Sequence, residues 1–233
     1  MEMVGYLVNH PDGLSGERGL YYNYILASNG LFVEAESPVI AARVPVKVCT
    51  VRGLAPLETK VTLTYGSIPQ RFFDLALDTF LAEPDKERYV AVTAAAGYHF
   101  YVPVQDSNGA NVVYEVGDAV VLDIHSHGPM WAGFSTTDNE DETGLKLYGV
   151  VGRLNATPVV KLRIGVYGYF KPLAWGDVFD GSLTGAVEFE SEEVMTKDGL
   201  HCVPGSHGTG FQRPGRRMWW DRWFRSGGLV PPA

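Results

Sequence analysis

The chain is poor in cysteine, in basic excess and in long apolar runs. Its two cysteines, Cys49 and Cys202, lie far apart in 233 residues. That is too few for a disulfide framework and points to a reducing compartment, the cytoplasm by default. Nineteen basic residues face 27 acidic ones, a net charge of −8, which argues against a general nucleic-acid binder. No apolar run reaches the ~18 residues a transmembrane helix needs. The start, MEMVGYLVNHPDG, has neither the basic opening nor the apolar core of a secretory signal. Internal repeats and long low-complexity stretches are also absent. What is plentiful is glycine (27), proline (14) and β-branched and aromatic residues, a mixture that favours many short strands and turns over a helical bundle. A chain of this length buries a core without disulfide or metal staples.

Residues 1–66 read as a β-rich N-terminal segment. Residues 1–18 are punctuated by glycine and proline and read as loose chain. Strands are expected in LYYNYILA, in LFVEA after the Asn29-Gly30 turn signal, and in VKVCTVR and KVTLTY. The first helix is expected after Ser67, a candidate cap, with Pro69 in its first turn. Phe72/Phe73, Ala76/Leu77 and Phe80/Leu81 then make one apolar face. Pro84 ends it, and Asp74, Asp78 and Glu83 fall on its solvated side. Strands follow in YVAVTAA, YHFYVPV, VVYEV, AVVLDI, LKLYGVV and VVKLRIGVYG, and TGAVEFE adds another. The acidic run from Glu188 to Glu193 reads as solvated. From residue 196 the chain becomes Gly-rich. It then carries five arginines and three tryptophans between Arg213 and Arg225, suited to docking on its own domain or on a partner protein.

One stretch concentrates chemistry: Asp123-Ile-His-Ser-His-Gly-Pro-Met-Trp-Ala-Gly-Phe-Ser-Thr-Thr-Asp138. AVVLDI delivers His125 and His127 at a strand end, and residues i and i+2 of a strand share a side. After seven intervening residues, Ser135 reads as a helix cap, and Asp138 in the first turn can return a carboxylate to the same ion. Two histidines and one aspartate leave a tetrahedral position open, as in catalytic rather than structural zinc sites. Zinc in such a site polarises a carbonyl and activates water.

The run His-Ser-His, seven residues, Ser-x-x-Asp resembles the metal motif of the JAMM (JAB1/MPN/Mov34) metalloproteases. The similarity covers roughly residues 67–172. Phe134-Ser135-Thr-Thr-Asp138-Asn-Glu-Asp141-Glu142, Gly165-Val-Tyr-Gly168, Val44-Pro45 and Val51-Arg52-Gly53-Leu54 resemble one bacterial branch more closely, the PRTRC system protein A type, and extend the similarity to about residue 28. The resemblance implies an α/β fold: a JAB1/MPN, cytidine-deaminase-like core with a central mixed sheet flanked by helices, over residues 67–195. It implies one Zn2+ per chain on His125, His127 and Asp138, with Ser135 stabilising the oxyanion. It also implies an upstream glutamate as general base, placed at Glu87 with Glu83 as the alternative. Glu115 is too close to His125 in sequence. The substrate implied is an isopeptide or C-terminal peptide bond of a ubiquitin-like protein, with an adenylating-enzyme-like system partner. A non-enzymatic MPN-type scaffold is the alternative, and the ligands alone also suit a metal-dependent hydrolase of a small molecule. The family often has proline directly after the second histidine. Here Gly128 intervenes, which suggests a more mobile loop. Met130, Trp131 and Phe134 are large apolar residues on that loop, and Trp131 is the candidate substrate contact. Asp141 and Glu142 read as a solvated helix turn, and His99 as a satisfied strand residue. His201, Cys202 and His207 lack the paired spacing of a structural zinc site.

Overall fold

The computed structural model describes residues 2–103 and 120–189. The candidate strand VVYEV, Glu115 and the Arg/Trp-rich tail lie outside the described residues. The first departure from expectation is at the N-terminus, where residues 1–18 had read as loose chain. β1 (Val4–His10) and β2 (Gly13–Glu17) form an antiparallel hairpin, and β1 also pairs in parallel with β3 (Tyr22–Ala27). The buried positions of β1 are Gly5, Leu7 and Asn9, so only one is strongly apolar and the alternation is silent in the sequence. Asn9 tolerates burial because its amide donates to the carbonyls of Ala55 (3.0 Å) and Pro56 (3.1 Å).

β4 (Gly30–Glu36), β5 (Ile40–Val48) and β6 (Lys60–Leu63) continue this sheet antiparallel, in the order β2-β1-β3-β4-β5-β6. The expected strand VKVCTVR is therefore shifted: β5 ends at Val48, before Cys49.

A second sheet follows α1 (Arg71–Leu81). Its strands are β7 (Tyr89–Ala94), β8 (Tyr98–Tyr101), β9 (Val120–Ser126), β10 (Leu145–Gly152), β11 (Val159–Val166) and β12 (Tyr169–Leu173), in the order β12-β11-β10-β9-β7-β8. The β9–β10 pair is parallel and its other neighbours along this path are antiparallel. The short helices α2 (Thr136–Asp141) and α3 (Trp175–Val178) interrupt the strands, and β13 (Val187–Glu188) adds in parallel to β11. The architecture is mixed α/β but β-rich: two mixed sheets with few helices among the described residues. No described helix is long and apolar enough to cross a membrane.

α1 forms as its four-residue periodicity predicts, burying Phe72, Phe73, Ala76, Leu77 and Phe80, while Leu81 stays exposed. Its start differs from expectation. Gln70, not Ser67, is the cap residue, and its backbone N–H donates to Asp180 Oδ1 at 2.9 Å. A carboxylate from far along the chain thus satisfies the helix end.

Strand alternation gives the second sheet two different faces. Val90, Val92, Leu122, Ile124, Leu147, Val151, Leu162 and Ile164 join the α1 stripe in one buried cluster, which also takes in Val33, Ile40 and Val44 of the first sheet. Full burial of Phe73 and Phe80 contributes about 1.5–3 kcal/mol each. The opposite face carries polar chemistry. Tyr148 pairs with both Asp123 and Arg163, and His125 pairs with both Tyr89 and Val150. The apolar face fixes the sheet and leaves the polar face free to build a site.

Candidate metal centre

His125 is the penultimate residue of β9, and His127 lies just beyond the strand. Ser126 between them is fully buried and points the other way. Its N–H donates to the Arg88 carbonyl (2.8 Å) and its Oγ accepts from the Arg88 N–H (2.9 Å). The small hydroxyl residue nails the strand end to β7 while the flanking imidazoles emerge together on the polar face.

The two Nε2 atoms are 3.0 Å apart. Asp138 Oδ1 lies 3.6 Å from His125 Nε2, and Asp138 Oδ2 lies 3.9 Å from His127 Nε2. Ligands about 2.0–2.1 Å from a tetrahedral ion stand about 3.3 Å from one another, so the three donors fit around one cation with small adjustments. The side chains are only 14–20% exposed. Two imidazole nitrogens and a carboxylate suit a divalent transition metal. This group could hold a metal ion.

Each donor is oriented by a neighbour. His127 Nδ1 lies 3.3 Å from the Trp131 carbonyl oxygen. An N–H donated there leaves the Nε2 lone pair directed to the centre. Burial pulls the His125 pKa down to about 4, with His127 and Arg163 acting in the same direction and Asp138 opposing. Its ring is therefore neutral at pH 7, as ligation requires. Asp138 is held by a capping box at the start of α2. The Ser135 N–H donates to Asp138 Oδ2 (2.5 Å), and Ser135 Oγ accepts from the Asp138 N–H (3.1 Å). Ser135 is a cap as expected, and among the described residues its own O–H has no acceptor.

Main-chain hydrogen bonds hold the loop Gly128–Phe134 at three points. Leu154 N–H donates to Gly128 O (2.9 Å), Met130 N–H to His127 O (3.0 Å) and Arg153 N–H to Met130 O (2.7 Å). Ala132 is fully buried. Gly128 sits at φ +56°, a conformation glycine adopts without strain. Trp131 is 49% exposed. Its ring meets Phe189 edge-on at 5.4 Å and carries the Arg153 guanidinium at 5.6 Å.

The two candidate bases are placed apart. Glu83 is ion-paired with Lys86 and Arg88, at the C-terminal end of α1. Arg88 thus points to the helix side. Glu87 lies two residues before β7, in the connection that follows α1. Glu87 is exposed, and its carboxylate has no hydrogen-bond or ion-pair partner among the described residues.

Glu142 is not the solvated residue its acidic context suggested. It is partly buried and accepts two bonds from Arg163, through Nε (2.9 Å) and Nη2. Burial pushes its carboxyl up to about 7 against the pull of that guanidinium. Beside the centre, buried Asp123 accepts from the Tyr89 hydroxyl and from Lys146 Nζ (3.2 Å). Sequence reasoning passed over Asp123 and Arg163, although both carried a signal. Each is a charge set between apolar neighbours in its strand, at the parity of the site face. His99 is an exposed strand residue whose Nε2 contacts the Ala95 carbonyl at 2.9 Å. The Asp141 side chain, Cys202, His201 and His207 lie outside the description. No family model, curated protein or solved structure matches the chain.

Proposed function

We propose that this protein is a zinc metallopeptidase of the JAMM type, with a JAB1/MPN core formed by the second sheet and α1. Its proposed substrate is an isopeptide or C-terminal peptide bond of a ubiquitin-like protein in the cytoplasm, where an adenylating-enzyme-like protein would be its system partner. The observation that carries the reading is the convergence of His125, His127 and Asp138 at the end of β9, with Ser135 capping the helix that brings Asp138 back.

A zinc ion on these three residues would supply Lewis acidity toward the scissile carbonyl. The chain's own groups do the rest. Glu87, exposed and without a partner among the described residues, takes the proton of the attacking water and passes it to the leaving amine. Ser135 keeps its O–H free and donates it to the developing oxyanion. Trp131, half exposed beside His127, offers an apolar surface to an extended substrate tail.

The test uses zinc-loaded protein with linear fusions and isopeptide conjugates that end in a ubiquitin-like C-terminal tail. Cleavage at the tail, lost on chelation and in Glu87→Gln, supports the reading. Tight binding of the tail without cleavage by wild type would replace it with an MPN-type scaffold.

A further inference from the structure

We infer that Arg163 is a positioning residue for the metal centre, clamping the ligand-bearing helix α2 onto the sheet. The inference rests on His125, His127 and Asp138 being the metal site.

α2 has six residues, too few to be stable alone. Its capping box fixes its first turn, yet a capping box does not tie a helix to a sheet. Arg163 supplies that tie from β11. It is 6% exposed and stands opposite Tyr148, on the same face as His125. Nη1 donates to Asn139 Oδ1 at 2.6 Å, the residue directly after the ligand Asp138. Nε and Nη2 donate to Glu142, the residue that ends the helix. The guanidinium carbon also lies 3.6 Å from the Phe134 ring centroid and 3.8 Å from that of Phe170. Phe134 directly precedes Ser135. One planar cation therefore grips the chain before the cap, just after the ligand and at the helix end, which fixes both the position and the rotation of α2.

Arginine's chemistry is specific to this arrangement. A planar fork can donate in two directions within its plane while its faces stack on rings. A lysine ammonium is a point charge that cannot do both. A buried cation contributes only when its partners are all in place, and here the partners are concentrated on the α2 segment.

Two readouts test the clamp in the full chain. The first is amide hydrogen exchange of metal-free protein, comparing peptides over residues 136–142 with peptides over β9. Arg163→Lys and Asn139→Ala are expected to speed α2 exchange at least tenfold and leave β9 unchanged. The second is zinc affinity by competition with a chromophoric chelator. A 10–100-fold loss is expected in Arg163→Lys, in the range found when partners that orient metal ligands are removed, and a smaller loss in Asn139→Ala. Asn139 is exposed, so its truncation reports on the clamp even if Arg163 variants fail to fold. Wild-type zinc affinity in both variants, or loosened α2 with unchanged affinity, would overturn the inference. Wild type that binds no zinc at all would also overturn it, and an intact exchange response would then locate the failure in the metal reading.

Discussion

The ring of His127 is backed by the main chain of Trp131: Nδ1 and the carbonyl oxygen are 3.3 Å apart. The residue with the most exposed aromatic ring on the loop thus uses its backbone, not its side chain, to aim a metal ligand. The candidate metal centre and the candidate substrate surface are joined through one peptide unit.

The first prediction is stoichiometric. Protein purified without chelator, or reconstituted with zinc, is expected to hold about one ion per chain by elemental analysis. His125→Ala and Asp138→Ala should each lower occupancy without unfolding the chain. Neither residue belongs to the buried apolar cluster that joins α1 to both sheets, so melting temperatures should stay close to that of wild-type apoprotein. Reconstituted wild type without metal would refute the site.

The glutamates separate catalysis from structure. Glu87→Gln should keep zinc and reduce turnover about 10²-fold or more, as loss of a general base does. Glu83→Gln removes a carboxylate paired with Lys86 and Arg88. The Lys86 pair is exposed and the Arg88 pair partly covered; surface pairs are worth about 0–1 kcal/mol each, so a small fall in melting temperature is expected, with activity retained. The reverse pattern would move the base to Glu83, and full activity in both would refute the assigned mechanism.

Gly152 tests the loop anchor. A Cβ there would lie 2.4 Å from Ala132 N and Met130 O, and 2.7 Å from Trp131 C. Gly152→Ala must therefore push the loop outward, and with it the carbonyl behind His127. Overpacking of this kind costs about 1–3 kcal/mol. Denaturant unfolding should show that loss, and zinc affinity should fall with it. Gly176→Ala, where a Cβ meets nothing within 4 Å, is the control: it should leave zinc affinity unchanged and cost no stability, since alanine suits a helix better than glycine.

How much of this was legible before any coordinates follows from what kind of signal each feature leaves. β9 and α1 are announced by an apolar run broken by Asp123 and by a four-residue periodicity. The ligand set is announced by spacing, because alternation along a strand and a capped helix start place the donors nearly uniquely. β1 was silent because its inward residues include Gly5 and Asn9. β12 (Tyr-Phe-Lys-Pro-Leu) was hidden because none of its residues is fully buried and it holds a proline, which fits an edge strand. The Trp131 carbonyol contact could not be read at all, since a main-chain acceptor has no residue-type signature. Arg163 could have been. In VVKLRIGV it is a charge set between Leu162 and Ile164 in the middle of the strand, and a charge there asks for a buried partner.

A pH prediction concerns the junction of the sheets. The hydroxyls of Tyr24 on β3 and Tyr169 on β12 are 2.7 Å apart. Burial, helped by this bond, raises the Tyr24 pKa from 10.0 to about 12. The folded chain thus holds a proton that the unfolded chain releases above about pH 10. The stability contributed is complete below that pH and is lost as pH rises toward 12. Tyr24→Phe should remove this share of the alkaline decline, seen as a shallower fall of the urea midpoint between about pH 10 and 12. At neutral pH the lost hydrogen bond should cost about 1 kcal/mol. An unchanged alkaline slope would place the titrating group elsewhere.

The last prediction concerns Trp131. Its indole is 49% exposed and stands beside the His127 backbone, flanked by Phe189 and Arg153. Its carbonyl serves His127 whatever the side chain, so Trp131→Ala should spare zinc content and melting temperature. A role in gripping the substrate tail then predicts a raised KM, or a lowered kcat/KM, toward ubiquitin-like tail fusions with metal binding intact. Arg153→Ala should have a weaker effect of the same kind, since it supports the indole through a cation–π contact worth about 0.5–1 kcal/mol at an exposed site. Fallen zinc occupancy in Trp131→Ala would show that the side chain, and not only the carbonyl, holds the loop. Unchanged kinetics with unchanged zinc would remove Trp131 from the substrate surface and leave it as the support of His127 alone.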